Sequence, residues 1–272
     1  MGEVDLHVGR KMPRCGVIIE ARTGSSRLPG KVLRELWNGK SLLECLAERF
    51  SRFFTSEQII IATTNDPQDE CIVQLATDLG VNCFRGSECD VLDRVYRAAE
   101  SHGLDLIAEI TGDNPFADPF LCKRVLSERQ RCEMTLCSTD LHWHDHAFEL
   151  KLPIGLGFKI FDFHALKHVW LTAHEPVDRE HVINSMVRSS SIKKINWQGV
   201  MIESPESYRL TVDFPEDLTV VRTLAMRCQN NIHADHAEIL NILRMDDRLR
   251  QSNSHCTQTN YAEKKSARLD GI

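Results

Sequence analysis

One stretch near the N-terminus constrains the fold more than any other: an apolar run that passes directly into a loop rich in glycine and cations. Val17, Ile18 and Ile19 form a β-branched run, and residues 22–31 then contain two glycines, two serines and three cationic side chains. Continuous runs of this kind are typical of parallel strands that are buried on both faces. In open α/β sheets, ligands bind at the carboxyl ends of such strands. The stretch therefore predicts an α/β fold with an anion site after its first strand.

The loop has the donors that a phosphate-rich ligand needs. Glycine lets backbone N–H groups approach an anion closely, while serine hydroxyls and cationic side chains add hydrogen bonds and charge. The Walker motif is excluded because Val32 follows Lys31 where that motif has Ser or Thr, and the dinucleotide spacing G-x-G-x-x-G is absent. A surface loop with solvated cations is the alternative, and it applies most to Arg27.

The remaining pattern alternates strand-length apolar runs with helical periodicity, which predicts a mostly parallel sheet with right-handed crossovers. Strands are expected at residues 58–63, 81–84, 104–110, 134–137 and 208–212, and a further one from 158. Helices are expected to begin near residues 41, 66, 90, 118, 162, 178, 215 and 235. Two of these strands deliver carboxylates to the same sheet edge, Asp113 shortly after residue 110 and Asp213 directly after residue 212. Helix or turn capping is the structural alternative for each of them.

Composition and charge exclude several classes of protein. The net charge of -6 argues against a general nucleic-acid-binding surface, so the basic loop is a local anion site. The ten cysteines include no C-x-x-C pair, which favours a reducing cytoplasm. The N-terminus has no signal-peptide pattern and the chain has no run of 18 apolar residues, so neither export by that route nor a membrane span is expected.

The chain is divided by its composition into one large domain with polar ends. We expect residues 1–12 to be a flexible leader, residues 13–250 to form the domain, and residues 251–272 to be a disordered tail. A polar stretch from 141 to 153 carries alternate histidines at 142, 144 and 146. A loop is favoured there over a metal site, because no Cys or carboxylate spacing completes a tetrahedral set.

Four segments, in order, resemble one family. They are Cys15 to Leu33, Phe84-Arg-Gly-Ser-Glu-Cys-Asp-Val-Leu-Asp-Arg94, Thr111-Gly-Asp-Asn-Pro-Phe-Ala-Asp-Pro119 and Thr211-Val-Asp-Phe-Pro-Glu-Asp217. The chain resembles the acylneuraminate cytidylyltransferase family over about residues 14–225, and most closely its SpsF-like branch of spore coat polysaccharide and pseudaminic acid enzymes. The resemblance implies a Rossmann-like nucleotide-diphospho-sugar transferase fold with an acceptor and dimerisation region at about 140–190.

The resemblance also implies an activity: a Mg²⁺-dependent transfer of CMP from CTP to an acidic sugar by a cytoplasmic homodimer. Carried over residue by residue, it gives the following assignments. Catalysis falls to Arg22, Lys31, Asp113 and Asp213, and Mg²⁺ binding to Asp113 and Asp213. The nucleotide is assigned to Ala21, Arg22, Thr23, Gly24, Ser25, Arg27, Lys31, Arg85, Ser87, Thr111 and Asp113, and the acceptor to Lys159, Arg179 and His181. Turn and helix-surface roles are the alternatives for Arg85, Ser87, Arg179 and His181.

One departure from the family pattern bears on the acceptor. Many relatives have approximately Pro-x-Gly-Leu-Asp-x-Glu where this chain has Pro153-Ile-Gly-Leu-Gly-Phe-Lys159. The loss of two carboxylates and the gain of a cation favour an acid or phosphate group on the acceptor. Three alternatives remain. The acceptor could be a sugar phosphate or phosphonate, the nucleotide could carry another base, or the chain could be a non-catalytic nucleotide-binding homologue. Because Asp113 and Asp213 are both present, the last of these is disfavoured.

Overall fold

A seven-stranded sheet with helices on both faces forms the core of the protein. The computed structural model describes residues 13–128, 135–138, 141–143, 148–196 and 207–256. The strands are β1 Cys15–Glu20, β2 Glu35–Trp37, β3 Lys40–Ser41, β4 Ile59–Thr64, β5 Asn82–Gly86, β6 Leu106–Thr111, β7 Thr135–Ser138, β8 Leu141–Trp143, β9 Phe148–Leu150, β10 Lys159–Asp162 and β11 Lys193–Asn196.

The helices alternate with these strands along the chain. They are α1 Leu42–Ser51, α2 Glu70–Asp78, α3 Val91–Ser101, α4 Pro119–Glu128, α5 Phe163–Thr172, α6 Pro176–Glu180, α7 Ile183–Arg188, α8 Pro215–Arg227, α9 His236–Met245 and α10 Asp247–Gln251. Within the described ranges, each helix is too short or too polar to cross a bilayer.

The main sheet has the order β11-β7-β10-β6-β1-β4-β5. Strand β10 runs antiparallel to both of its neighbours, β6 and β7, and the other pairs in this sheet are parallel. The predicted α/β class with a mostly parallel sheet is therefore confirmed. Because β1 lies between β6 and β4, the loop that follows β1 emerges in the middle of the sheet edge where nucleotide ligands bind.

The two faces of β1 belong to two separate apolar cores. Val17 and Ile19 are fully buried against α1, α2, α4, α8 and α9. Ile18 points the other way and is fully buried with residues of α3, α5 and α7. This explains why the run is continuously apolar rather than alternating: the strand has no face in contact with water.

Two predicted helix starts are confirmed by their caps. The Ser41 hydroxyl accepts a hydrogen bond from Glu44 N at 3.2 Å, and the Glu44 carboxylate accepts one from Ser41 N at 2.6 Å. The Asp90 carboxylate accepts from Asp93 N at 2.9 Å and so caps α3. Each carboxylate satisfies a backbone donor that has no partner within its helix.

The strand predicted over residues 208–212 is wrong. Tyr208, Leu210 and Val212 alternate in the sequence with the polar residues Arg209 and Thr211, which is a pattern typical of a strand. The backbone instead bonds to two different loops: Leu210 N donates to Ile154 O at 2.8 Å, and Val212 N donates to Asp113 O at 2.9 Å. The segment therefore lies between two loops and not in the sheet, and Thr211 is buried together with its apolar neighbours.

Two other expectations are changed by the structure. His142 lies on a strand, since β8 pairs with β9 in an antiparallel hairpin, whereas His144 and His146 lie outside the described residues. Residues 251–256, which the sequence assigns to the tail, belong to the described part of the chain: Asn253 is buried and donates to Asp217 Oδ1 at 2.8 Å. The remainder of that tail and the leader at 1–12 fall outside the described residues.

Candidate active site

Three segments that are distant in sequence meet at the carboxyl end of β1. The loop after β6 lies against β1 because Gly112 N donates to Glu20 O at 2.7 Å. A Cβ atom at Gly112 would lie 2.9 Å from that oxygen, so the approach requires glycine. The 208–213 segment is then held by the bond from Val212 N to Asp113 O. This arrangement brings Lys31, Asp113 and Asp213 to one place.

A single ammonium group joins the two carboxylates. Lys31 Nζ lies 2.5 Å from Asp113 Oδ2 and 2.8 Å from Asp213 Oδ1. The side chain of Lys31 is 14% exposed and that of Asp213 is 6% exposed, so these pairs are only weakly screened by solvent. The structure therefore places three of the four predicted catalytic residues in direct contact.

Asp213 contacts two further cations besides Lys31. Its Oδ1 lies 2.7 Å from Arg27 Nη2, and its Oδ2 lies 2.9 Å from Arg209 Nη2. Burial would raise the pKa of Asp213, but these neighbours, with Lys31 first, hold the pKa below its usual value. Burial would lower the pKa of Lys31, but the carboxylates of Asp113 and Asp213 raise it above its usual value. Both groups are therefore charged at neutral pH, and Arg27 is part of the site and not a solvated cation.

Arg209 is itself held in place by a buried bonding network. Its Nε lies 2.9 Å from Asp217 Oδ1, and Asp217 Oδ2 accepts from Asp213 N and Phe214 N at 2.9 and 3.0 Å. Asn253 completes the network by donating to Arg209 O at 3.1 Å as well as to Asp217. Sequence reasoning assigned Asp217 only to a helix start and missed Arg209 and Asn253. An extended strand over 208–212 would keep Arg209 and Asp213 apart, so the predicted strand gave no reason to expect their contact.

The loop after β1 is anchored by a carboxylate that sequence reasoning also missed. Asp69 is buried, and its Oδ1 accepts from both Thr23 N and Thr23 Oγ1, at 2.8 and 2.6 Å. Burial would raise the pKa of Asp69, but hydrogen bonds from Thr23, Thr64 and Thr63 lower it. The loop turns at Gly30, whose φ of 65° falls in the left-handed region. Thr23 therefore holds the loop in place, and its hydroxyl is already engaged.

The other residues assigned to the nucleotide line the same edge. Arg22 Nη1 lies 3.0 Å from Glu88 Oε1, and both side chains are close to half exposed. Arg85 donates to Thr64 O at 2.9 Å and to Asp66 O at 2.8 Å, while the Ser87 hydroxyl accepts from Asp90 N. Arg85 and Ser87 therefore shape the loops after β4 and β5. Of the remaining assigned residues, Ala21, Gly24 and Ser25 lie in the loop that leaves β1, and Thr111 is the last residue of β6.

The three residues assigned to the acceptor lie in different surroundings. Lys159 is the first residue of β10 and pairs in register with Glu109 of β6. Arg179 ties α6 to α3, because its Nε lies 3.0 Å from both oxygens of Asp90 and its Nη2 lies 2.6 Å from Asp90 Oδ2. His181 follows α6 and is exposed. Their role toward an acceptor stays a prediction, and the geometry of Arg179 also gives it a structural role.

A buried carboxylate lies beneath this edge, on the α3 side of the sheet. Burial raises the pKa of Glu20 well above its usual value, and the negative charge of Glu109 raises it further. Arg94 Nη2, at 4.0 Å, is too distant for a hydrogen bond to Glu20 Oε2. Glu20 Oε1 is buried and has no hydrogen-bond partner among the described residues. We therefore expect Glu20 to bind a proton at a higher pH in the folded protein than an exposed glutamate does.

Replacing Glu20 with glutamine is expected to raise the melting temperature above pH 7. The pKa of Glu20 is raised in the folded protein, so the stability that its protonated form contributes is fully present below the unfolded-state pKa of about 4.3. That contribution is lost as the pH rises through the folded-state pKa. Glutamine has no charge to bury and avoids that loss. We expect a gain of a few degrees, at about 2–4 °C per kcal/mol for a chain of this size.

Thermal melts between pH 4 and pH 8 test this expectation, and the gain should vanish at the acidic end. Glu57→Gln, at an exposed position, serves as the control and should melt like the wild type at each pH. A melting temperature of Glu20→Gln at pH 8 equal to or below that of the wild type contradicts a raised pKa of Glu20.

The donor set at the edge fits a hard divalent cation. Asp113 and Asp213 each direct a carboxylate oxygen at one point, which the Lys31 ammonium occupies. Mg²⁺ prefers such oxygen ligands, commonly one or two carboxylates together with the phosphates of its substrate. Asn114 Oδ1, next to Asp113 in the chain, is buried and lacks a hydrogen-bond partner among the described residues. This edge therefore has the charge and the donors to bind a metal-bound triphosphate.

Comparison with known proteins gives a consistent set of similarities. The family described as Cytidylyltransferase matches residues 16–239. An uncharacterized protein of Methanocaldococcus jannaschii is 34% identical over 251 residues, which are 90% of this chain and 97% of that protein. The spore coat polysaccharide biosynthesis protein SpsF of Bacillus subtilis is 29% identical over 83% of this chain and 92% of its own.

More distant similarities extend the same pattern. A 3-deoxy-manno-octulosonate cytidylyltransferase of Hydrogenovibrio crunogenus is 30% identical over 147 residues, or 53% of each chain. Among solved structures, a cytidylyltransferase from Leptospira borgpetersenii superposes with a TM-score of 0.77 at 24% identity, covering 92% of this chain and 99% of the other. At that identity the superposition supports the fold, namely that of the nucleotide-sugar transferases.

Proposed function

Because the chain belongs to the cytidylyltransferase family, and so is a nucleotidyltransferase, we propose that it transfers CMP from CTP to an acidic sugar and releases pyrophosphate. The observation that carries this proposal is the contact of Lys31 with Asp113 and Asp213 at the end of β1. The names of two relatives support the substrate class: one is a spore coat polysaccharide biosynthesis protein and another is a cytidylyltransferase for 3-deoxy-manno-octulosonate. An octulosonic or nonulosonic acid for a surface glycan fits both names.

The reaction forms one bond and breaks one. A hydroxyl oxygen of the sugar bonds to the α-phosphorus of CTP, the bond from that phosphorus to its bridging oxygen breaks, and pyrophosphate leaves with the electron pair. The hydroxyl proton passes to solvent. The main task of the protein is to align these groups and to compensate the charge of the triphosphate.

The cations of the first loop supply that compensation. Arg22 and Lys31 follow the strand end at which the triphosphate would lie, and we assign Lys31 to the leaving pyrophosphate. Arg27 contacts Asp213 and lies close enough to add its positive charge to the electrostatic potential at the phosphates. Gly24 and Ser25 would add backbone and hydroxyl donors. The phosphates would thus be bound by side chains of one loop, which Thr23 anchors to Asp69.

We propose that Asp113 and Asp213 hold Mg²⁺ when the nucleotide is bound. The bound ion would neutralise phosphate charge at the reacting phosphorus. Asp213 is oriented for this by Arg209, whose own position depends on Asp217.

The acceptor side of the proposal rests on charge. Where many relatives have two carboxylates, this chain has Gly157 and Lys159, so an anionic acceptor meets less repulsion and gains a cation. Lys159, Arg179 and His181 are our candidates for contacts with it. A sugar phosphate or phosphonate acceptor, or another base, is the second candidate function, and the same charge argument favours an anionic acceptor in either case.

Pyrophosphate release is the measurement that tests the proposal. The protein is assayed with Mg²⁺ and each of the four nucleoside triphosphates against acidic sugars, sugar phosphates and phosphonates. Release with CTP and a 2-keto sugar acid, at a kcat of about 1–100 s⁻¹ and with the other bases at least tenfold slower, is the expected result. Release only with another base or only with a phosphorylated acceptor would contradict the proposed substrates while leaving the chemistry intact.

We also propose that the protein is a cytoplasmic homodimer, as the family resemblance suggests. Sedimentation of the purified full chain at micromolar concentration tests the dimer. A mass near twice the 31.0 kDa of the chain is expected, and a mass near 31 kDa contradicts it.

A further inference from the structure

The position between the two acidic side chains of the site is filled by a group of the protein itself. Lys31 Nζ lies within 2.8 Å of one oxygen of each carboxylate, and the side chains of all three residues are at most 20% exposed. These are the oxygens that a divalent ion would need. An ammonium and a metal ion cannot contact the same two oxygens, since both cations would occupy one position and repel each other.

The lysine is suited to leave that position. Its ammonium is carried on a flexible four-carbon stem, so it can move several ångströms without any change in the backbone. Lys31 also follows Gly30, where the chain turns with a left-handed φ. A Cβ atom built at Gly30 would meet nothing within 4 Å, so the turn beside Lys31 is not crowded. A triphosphate bound to this loop offers the ammonium a denser negative charge than two carboxylates do.

We propose that Lys31 is an internal counter-ion that keeps metal out of the site until a nucleoside triphosphate draws it away. This rests on the proposed function, in that the site is taken to bind a metal-bound nucleotide. In the free protein Lys31 neutralises Asp113 and shares the charge of Asp213 with Arg27 and Arg209. When the triphosphate binds, Lys31 moves to the phosphates and the released oxygens accept the metal ion. Nucleotide and metal therefore bind cooperatively, and by linkage each strengthens the other by the same factor.

Mn²⁺ binding without nucleotide gives the direct test, because the signal of free Mn²⁺ in electron paramagnetic resonance falls as the ion binds. Lys31→Met removes the ammonium and should tighten Mn²⁺ binding by about tenfold or more, since a neighbouring positive charge is lost. Lys31→Arg keeps the charge and should bind Mn²⁺ as weakly as the wild type. Lys40→Met is the control, because Lys40 pairs with Glu48 at the surface and its loss should change nothing.

A second group of possible metal ligands must be prevented from binding Mn²⁺ in these titrations. Glu216, His255 and Cys256 place ligand atoms within 4.8 Å of one another. The measurements are therefore made in a Cys256→Ser background.

The same variants are then titrated with CTP in the presence of a chelator. Lys31→Met should bind CTP at least about tenfold more weakly than the wild type, because the ammonium no longer meets the phosphates. Equal Mn²⁺ affinity in Lys31→Met and the wild type overturns the proposal, as does equal tightening in Lys31→Arg. Failure of the wild type to bind CTP would overturn the proposed function, while the nucleotide-free Mn²⁺ titration would still decide whether Lys31 excludes metal.

Discussion

Replacing Asp213 with asparagine is expected to lower turnover about 10³-fold, the magnitude typical of losing one charged group that stabilises a transition state. The amide has the same shape and can still accept a hydrogen bond from Arg209, so the 208–213 segment should keep its place. It lacks the charge that a divalent ion needs. Affinity for CTP in the absence of metal should change much less, because we assign the phosphates to the cations of the first loop. Steady-state pyrophosphate release and calorimetric CTP titration measure the two quantities separately.

The matched control is Asp247→Asn, which removes the charge of an exposed aspartate that is also paired with an arginine, 2.5 Å from Arg250. It should release pyrophosphate at the wild-type rate. A folded Asp213→Asn protein that keeps turnover within tenfold of the wild type would remove Asp213 from the proposed machinery. A protein of wild-type stability that fails to bind CTP would instead place Asp213 in nucleotide binding.

The second large effect is expected at Gly155, where alanine should lower the free energy of unfolding by about 3–5 kcal/mol. Gly155 has a φ of 99°, and a Cβ atom there would lie 2.3 Å from Leu210 C and Thr211 N. Those atoms are backbone, so they cannot turn aside as a flexible side chain would. The melting temperature should fall by about 10 °C, measured by calorimetry on the full chain.

Gly80→Ala separates steric overlap from backbone conformation. Gly80 has a φ of 67°, but a Cβ atom there would meet nothing within 4 Å, so only the cost of the left-handed conformation applies, about 1–2 kcal/mol. If the two variants lose equal stability, close contact between residue 155 and the 210–211 backbone is not what requires glycine. The residual folded fraction of Gly155→Ala should also turn over slowly, because the displaced segment carries Asp213.

The sequence predicted the sheet well because local patterns decide most of it. The continuous apolar run at Val17 to Ile19 and the helix start at Ser41 each depend on neighbours in the chain, and each is confirmed. The strand predicted at 208–212 failed because alternating polarity in a sequence has more than one structural outcome. In this chain the alternating segment packs between two loops, and only the structure shows that.

The site was predicted in part for the same reason. Lys31, Asp113 and Asp213 lie beside strand ends or glycines, where local patterns direct attention. Asp69 and Arg209 act through contacts that the sequence does not show. Asp69 accepts two hydrogen bonds from Thr23, which is 46 residues away in the sequence, and Arg209 bonds across a loop. No periodicity records a contact of that kind, so it could be found only once the fold was known.

The bond from Asn253 to Asp217 also sets when the site is finished during synthesis. Asp213 emerges from the ribosome 40 residues ahead of Asn253, which at typical translation speeds is roughly 2–8 s earlier. During that interval Arg209 and Asp217 lack the amide that closes their network. A chain that stops short of Asn253 would contain the charged residues of the site but would lack the amide that joins Arg209 O to Asp217.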